Sequence, residues 1–574
     1  MVKSIKYLFV LFFLLIFTAT ALAVDFSTHG YYRTRVVALD NTDLQRPNSS
    51  IAYSNNRFGF VSYNQMRLRL EPNLKLNDHI SIQAEFDILD NVLYGTKDTK
   101  ELNVLSPLVG TLTMPAGAGS FWMTGGVAGD NQAINIRRVW ADILTPIGKF
   151  RLGRQPSHWG LGIFQNDGRE RQGDFGDTAD RILYLFQKDL AGAGSVTGGL
   201  SWDIAYEAQT DQRLGFGGTV QDLAMPSNSR DTQQYAALFI YDRTEATVGV
   251  FGGIRRRDGR NGATTMTVTD ALQNEVAAGV DGDTLLYFID LYAKYQYENY
   301  KFQLEGVYVG GKVSTGVAVD AVPFQGLGAA DPANPCGTGG IICLPQNQSM
   351  QVLMAAFEAE ADYKWGGSWK IQTGFAQGDG DVLSGKITQL GFRPDYQIAL
   401  LMFNRPLGTS PSYYGEPAYD PGTTAKLGGG QWLTGNYINN AVYLTAGYKH
   451  EFDVSDVIAG CEFLKVGGKI VTAWAHKKNV NVDFAQVVGT ANLPTISETA
   501  SSFLKRWYGL EFDLSVEAKL FEYLYTALEG GVLIPGREYN IEVNVTDPGA
   551  LIEPIPQDNA NLGWGIRLTA SIEF

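Results

Sequence analysis

Cysteine and histidine are both scarce in this 574-residue chain, with three and five residues respectively. Three cysteines exclude a disulfide-stapled scaffold. His29, His79, His158, His450 and His476 are scattered, with no i, i+4 metal spacing and no nucleophile motif beside them. Ser157 and His158 are neighbours, but adjacent strand residues point to opposite faces. No enzyme, resident metal or cofactor is expected. Beyond residue 23 there is no apolar run near the ~18 residues a spanning helix needs, so any passage through a membrane must be made by strands. Positive charge is short as well. The formal net charge is -14, and removing Lys3 and Lys6 takes it to -16, which argues against nucleic acid as a partner.

What the chain does contain begins with a secretory signal. Lys3 and Lys6 precede the apolar run Tyr7 to Phe17, followed by Ala21-Leu22-Ala23, a small-x-small cleavage site. The expected organisation is a signal peptide over 1–23, read by Sec-type export, and one domain over 24–574. Aromatic and turn residues are plentiful, at 28 Tyr, 30 Phe, 10 Trp and 65 Gly. A mean hydropathy of -0.10 looks like that of a water-soluble protein. Alternating lipid-facing and lumen-facing residues produce the same average, so the period is the informative quantity.

That period is clearest over 65–88. Met66, Leu68, Leu70, Leu74 and Leu76 alternate with Gln65, Arg67, Arg69, Glu71, Asn73 and Lys75; after Asn77-Asp78, Ile80 to Ile88 resume it against Ser81, Gln83, Glu85 and Asp87. Similar pairs join at Glu298-Asn299-Tyr300 and near Phe521. Such runs exceed the usual ~5–6 residue strand and match the ~9–11 tilted residues that cross a bilayer. The whole chain yields about 18 strands (16–18), with tight links near Asn77, Pro146, Arg243, Asn299, Gly366 and Phe521 and long segments between them. Short turns at one end and long loops at the other predict an all-β, antiparallel, up-and-down transmembrane barrel with both termini periplasmic. It must close, because an open edge in hydrocarbon leaves backbone groups unpaired at several kcal/mol each. About 18 strands leave room for an aqueous lumen.

The last segment alternates Trp564, Ile566, Leu568, Ala570, Ile572 and Phe574 against Gly565, Arg567, Thr569, Ser571 and Glu573. A terminal apolar strand ending in Phe574 resembles the assembly signal of Gram-negative outer-membrane proteins, which implies the barrel-assembly machinery and outer-membrane lipid as partners. Arg137-Arg138-Val139-Trp140-Ala141-Asp142, the turn Pro146-Ile147-Gly148, and Phe150 to Pro156 resemble porins, distantly the alginate-export type. The likeness covers about 50 residues and carries no substrate with it.

Inward positions are basic on the early strands, at Arg33, Arg35, Arg67, Arg69, Arg137 and Arg151, interrupted by Glu85 and Asp87. They are acidic on later ones, at Asp290, Glu305, Glu358, Glu360, Asp362, Glu511 and Asp513. Facing walls of opposite charge would orient solutes and set ion selectivity. The loop from Pro156 to Ala179, with Arg169, Arg171, Asp174 and Asp177, is a candidate constriction if it folds inward. Cys336 and Cys343, flanked by Pro335 and Pro345 in a Gly-rich segment, are expected to close a small disulfide loop. Gly378 to Asp381 lacks the spacing of a calcium loop and reads as a turn. The expected function is a channel for ions or small hydrophilic solutes; the alternative is a receptor or sheath barrel that houses a partner.

Overall fold

The computed structural model describes residues 24–42, 60–93, 134–206, 232–257, 284–314, 347–379, 386–405, 437–477 (455 aside), 506–539 and 560–574, with a few short pieces between. Eighteen long strands form the wall. They are β1 (Asp25–Asp40), β2 (Val61–Lys75), β3 (Ile80–Leu93), β4 (Ile134–Thr145), β5 (Gly148–Pro156) and β6 (Thr178–Asp189). Next come β7 (Ser195–Tyr206), β8 (Thr232–Arg243), β9 (Ala246–Arg257), β10 (Thr284–Tyr297), β11 (Tyr300–Ser314) and β12 (Asn347–Asp362). The last are β13 (Gly367–Ala376), β14 (Ala441–Phe452), β15 (Cys461–Ala475), β16 (Trp507–Leu520), β17 (Leu524–Pro535) and β18 (Gly563–Glu573).

Each strand pairs antiparallel with its neighbour in sequence, and β1 also pairs with β18 from Tyr31↔Glu573 to Asp40↔Trp564, so the sheet closes on itself. Beyond the last ladder residue, Gly30 and Phe574 exchange backbone hydrogen bonds of 2.9 and 3.0 Å. Eight links are tight, and they lie at the end that holds both termini. At one of them Asn77 Oδ1 accepts the amides of His79 and Ile80, at 2.8 and 2.9 Å, which turns the chain within three residues.

The alternation has the expected sense. On β2, Gln65, Arg67 and Arg69 are buried while Met66, Leu68 and Leu70 lie on the other face. Outward side chains such as Leu200, Tyr235, Leu291, Leu514, Leu528 and Ile572 are exposed around the whole circumference. Water-soluble monomers rarely leave so continuous an apolar girdle uncovered. A bilayer is the solvent that satisfies it. Near the end opposite the termini, Arg154 and Asp180 form an outward bidentate pair at 2.7 and 2.8 Å.

Two irregularities position the inside. A bulge sets Glu85 opposite Arg138 but Phe86 opposite Ile136, so the adjacent Arg137 and Arg138 both reach the acidic residues of β3. Second, β13 pairs only with Met354–Asp362 of β12. Beyond it, Lys386–Ile387 pairs in parallel with Ser349–Met350, which leads the following loop into the barrel.

The inner face is not uniformly polar. Towards the long-link end it carries Leu39, Phe251, Phe288, Val352, Met354 and Leu533, all buried. These wall positions face protein rather than water. The Cys336 position and the Cys343 side chain lie outside the described residues, as do 1–23 and Asp381.

Candidate functional site: two loops anchored to the inner wall

The loop over 157–177, between β5 and β6, packs against the arginine-bearing strands. Asp174 is its anchor. Arg33 donates to one carboxylate oxygen at 2.5 Å and Arg35 to the other at 2.7 Å, with Arg67 at 3.4 Å. Burial alone would raise the Asp174 carboxyl, but the fields of Arg35, Arg33 and Arg67 outweigh it and hold the group well below the usual carboxylate range. The other contacts are to loop carbonyls. Arg33 donates to Arg171 O (2.6 Å), Arg67 to Gly173 O (3.0 Å), Arg137 to Phe175 O (2.5 Å) and Arg138 to Asp167 O (2.6 Å).

Loop amides face acidic partners instead. Glu305 accepts from Leu161 and Gly162 at 2.5 and 3.0 Å. Asp395, on the second loop, accepts from Asp174 and Gly176 at 2.7 Å each and from Phe175 at 3.2 Å. The peptide groups of the first loop are therefore sorted by charge, with carbonyls toward guanidinium and N–H toward carboxylate. Gly176 sits at φ +57, and a Cβ there would lie 2.6 Å from both Arg137 Nη2 and Asp167 O.

The second loop, 386–405, is held in the same way. Glu511 accepts from Leu401 and Met402 at 2.7 Å each, Asp513 from Leu400 at 3.1 Å, and Glu358 accepts the Tyr396 hydroxyl at 2.9 Å. Arg393 pairs with Asp177 at 2.7 Å, which ties the two loops together a second time. Burial, only partly opposed by Arg393, leaves the Asp177 carboxyl raised. Between loops and wall lies an apolar core in which Trp159 meets Phe251 at 5.5 Å, Phe164 meets Phe288 at 5.2 Å and Phe403 meets Tyr508 at 5.4 Å.

The residues singled out from the sequence divide into three groups. Arg33, Arg35, Arg67, Arg69, Arg137, Glu85, Asp87, Asp290, Glu305, Glu358, Glu511 and Asp513 lie in or against the loop-covered zone. Arg69 pairs bidentately with Asp87 at 2.7 and 2.8 Å, and Arg67 and Asp290 have no exposed surface. Nearer the tight-turn end, Arg151 pairs with Asp142 at 2.6 Å and Glu360 with Lys370 and Lys301 at 2.9 and 3.2 Å, while Asp362 is exposed. Of the loop residues, Arg169 is exposed and pairs with Asp167 at 3.0 Å, while Arg171 lies 4.0 Å above the Tyr525 ring and pairs with Glu573. Among the described residues no group of three or more His, Cys, Asp or Glu is placed to hold a metal.

Sequence reasoning missed Arg138, Asp395 and Arg405. Arg138 was masked by its neighbour, since strict alternation admits only one of two adjacent residues. Asp395 and Arg405 lie in a long segment without periodicity. A signal for the docked loops does exist: alternation gives way to unbroken apolar runs at Val36 to Leu39, Leu285 to Ile289 and Val352 to Phe357, the pattern of strands covered on both faces.

No family model matches the chain, and no curated protein matches its sequence. Solved structures that resemble it include an anion-selective porin from Comamonas acidovorans, at 10% identity and a TM-score of 0.35, covering 96% of this chain and all of that one. OccK2 of Pseudomonas aeruginosa, in complex with glucuronate, has 8% identity and a TM-score of 0.39, covering 96% and 98%. A BenF-like porin from Pseudomonas fluorescens has 10% identity and a TM-score of 0.39, with the same coverage. At these identities and scores the likeness carries no solute and no mechanism; the barrel stands on its own closed hydrogen-bonded wall.

Proposed function

We propose that this chain is an integral outer-membrane channel that passes ions or small hydrophilic solutes through a charged lumen narrowed by two wall-anchored loops. The observation that carries the reading is a closed eighteen-stranded wall with an apolar exterior and an ion-paired interior. Toward the tight-turn end the inward charges remain solvated, including Lys370, Lys301 and Lys449, and present the kind of surface that water and ions wet. The loops would set the narrowest passage, with Arg169, Arg171 and Arg393 among their exposed cations. Delivery would follow Sec export, cleavage after Ala23 and insertion by the barrel-assembly machinery.

The second reading, a receptor or sheath barrel that houses a partner, is favoured by the apolar core between loops and wall, which fills part of the lumen with protein. Planar-bilayer recording of the purified chain separates the two. Discrete, ion-dependent conductance supports the channel; bilayers that stay at leak level with correctly folded protein support the receptor.

A further inference from the structure

Arg405, near the end of the second inward loop, is buried at 6% exposure, yet it has no carboxylate partner among the described residues. Among the described residues its one side-chain hydrogen bond is from Nη1 to the Tyr63 hydroxyl at 3.1 Å, and its Nε–H has no acceptor. Tyr63 and Gln65 are successive inward residues of β2, and Gln65 stands directly opposite Arg35 in the β1–β2 register. Inward residues two apart on a strand are separated by ~7 Å, and cross-strand partners by ~5 Å, so Arg405, Gln65 and Arg35 share one patch of wall.

The other two members are also short of acceptors. Arg35 spends its Nη atoms on Asp174, and its Nε–H is unpartnered; Gln65 has an unpartnered amide nitrogen; both residues are 2% exposed. The nearby carboxylates are committed. Asp174 is shared by Arg33, Arg35 and Arg67, and Glu529 is held bidentately by Arg567 at 2.7 and 3.0 Å. Burial first, and then Arg567 and Arg35, lower the Arg405 pKa, and Tyr63 and Asp174 oppose them only in part. Three unpartnered N–H groups on one patch of wall, one of them on a buried guanidinium with no paired carboxylate, call for an anion.

We propose that Arg405, Arg35 and Gln65 form a buried binding site for one small monovalent anion of halide size, which pins the second loop to the β1–β2 wall. Enclosure selects against larger anions, because none of the three residues is more than 6% exposed. The site does not depend on whether the barrel conducts.

The test uses bromide as probe, with crystals of the full detergent-solubilised chain grown without halide, soaked in sodium bromide and measured at the bromine absorption edge. The expected result is one anomalous peak between Arg405, Gln65 and Arg35, absent in Arg405→Met and weakened in Gln65→Met. Should Arg405→Met fail to fold, Gln65→Met carries the comparison. A wild-type map with no peak there would overturn the proposal, leaving the three donors to bind only water. A peak of undiminished height in Gln65→Met or Arg405→Met would overturn it equally.

Discussion

Asp174 concentrates the loop's attachment in one side chain. Three guanidinium groups converge on it, and its own amide is held by Asp395. Removing one partner of a buried ion pair leaves uncompensated charge and costs on the order of 3 kcal/mol. Asp174→Asn is therefore expected to undock 157–177 while leaving the wall intact. Limited proteolysis should cut the variant inside this loop and leave the parent uncut, with heat-modifiable migration unchanged. The pH dependence follows from the direction of the shift. A carboxyl whose folded pKa is depressed contributes stability above its unfolded pKa of ~3.9 and loses it only as pH falls through the lower folded value. Protection of the loop should thus be as strong at pH 5 as at pH 7. Cleavage appearing between those values would assign the loop's hold to groups that titrate there, such as Asp177 with its raised carboxyl, rather than to Asp174. The inward placement of Arg67 and Arg69 was legible from alternation alone, since a one-residue slip would put each into lipid at roughly 2–4 kcal/mol. Their partners were not legible, because Gly173 lies 106 residues from Arg67 and no local pattern encodes the contact.

Among the elements, β18 has the most exposed task, because it must find β1 across the whole chain. Phe574 exchanges two backbone hydrogen bonds with Gly30, and a Cβ at Gly30 would come within 3.0 Å of the Phe574 ring and also meet the Arg69 carbonyl. Glycine at 30 thus keeps the seam closed by admitting both a ring and a neighbouring strand. Deleting Phe574 is expected to lower the amount of assembled, heat-modifiable barrel in the outer membrane. Unchanged amounts would mean that the seam closes without it. The strands themselves were readable. The tight links expected near Pro146, Asn299 and Gly366 fall between Thr145 and Gly148, Tyr297 and Tyr300, and Asp362 and Gly367. Local period and turn residues carry that information. The course of 386–405 was hidden for the opposite reason: it follows from the shortness of β13, the parallel pairing of Lys386–Ile387 and amide contacts to Glu511, all of them long-range.

For the molecule as a whole, an apolar exterior, a charged interior and two loops bound to the inner wall and to each other make the lumen's width depend on loop docking rather than on strand number alone. Replacing both Arg67 and Arg69 with Glu would add acid beside Asp87 and Asp90 and remove a hold on Gly173. Its reversal potential in a salt gradient should move toward cation selectivity, and the shift should shrink at high salt as the screening length falls. An unchanged reversal potential would place the selective zone elsewhere in the lumen. The most direct measurement is single-channel recording in planar bilayers of the parent chain beside a variant whose residues 158–176 are replaced by a short Gly-Ser link. The account predicts discrete conductance above leak from the parent and larger steps from the variant. Silence from both, with the barrel folded and inserted, would contradict it.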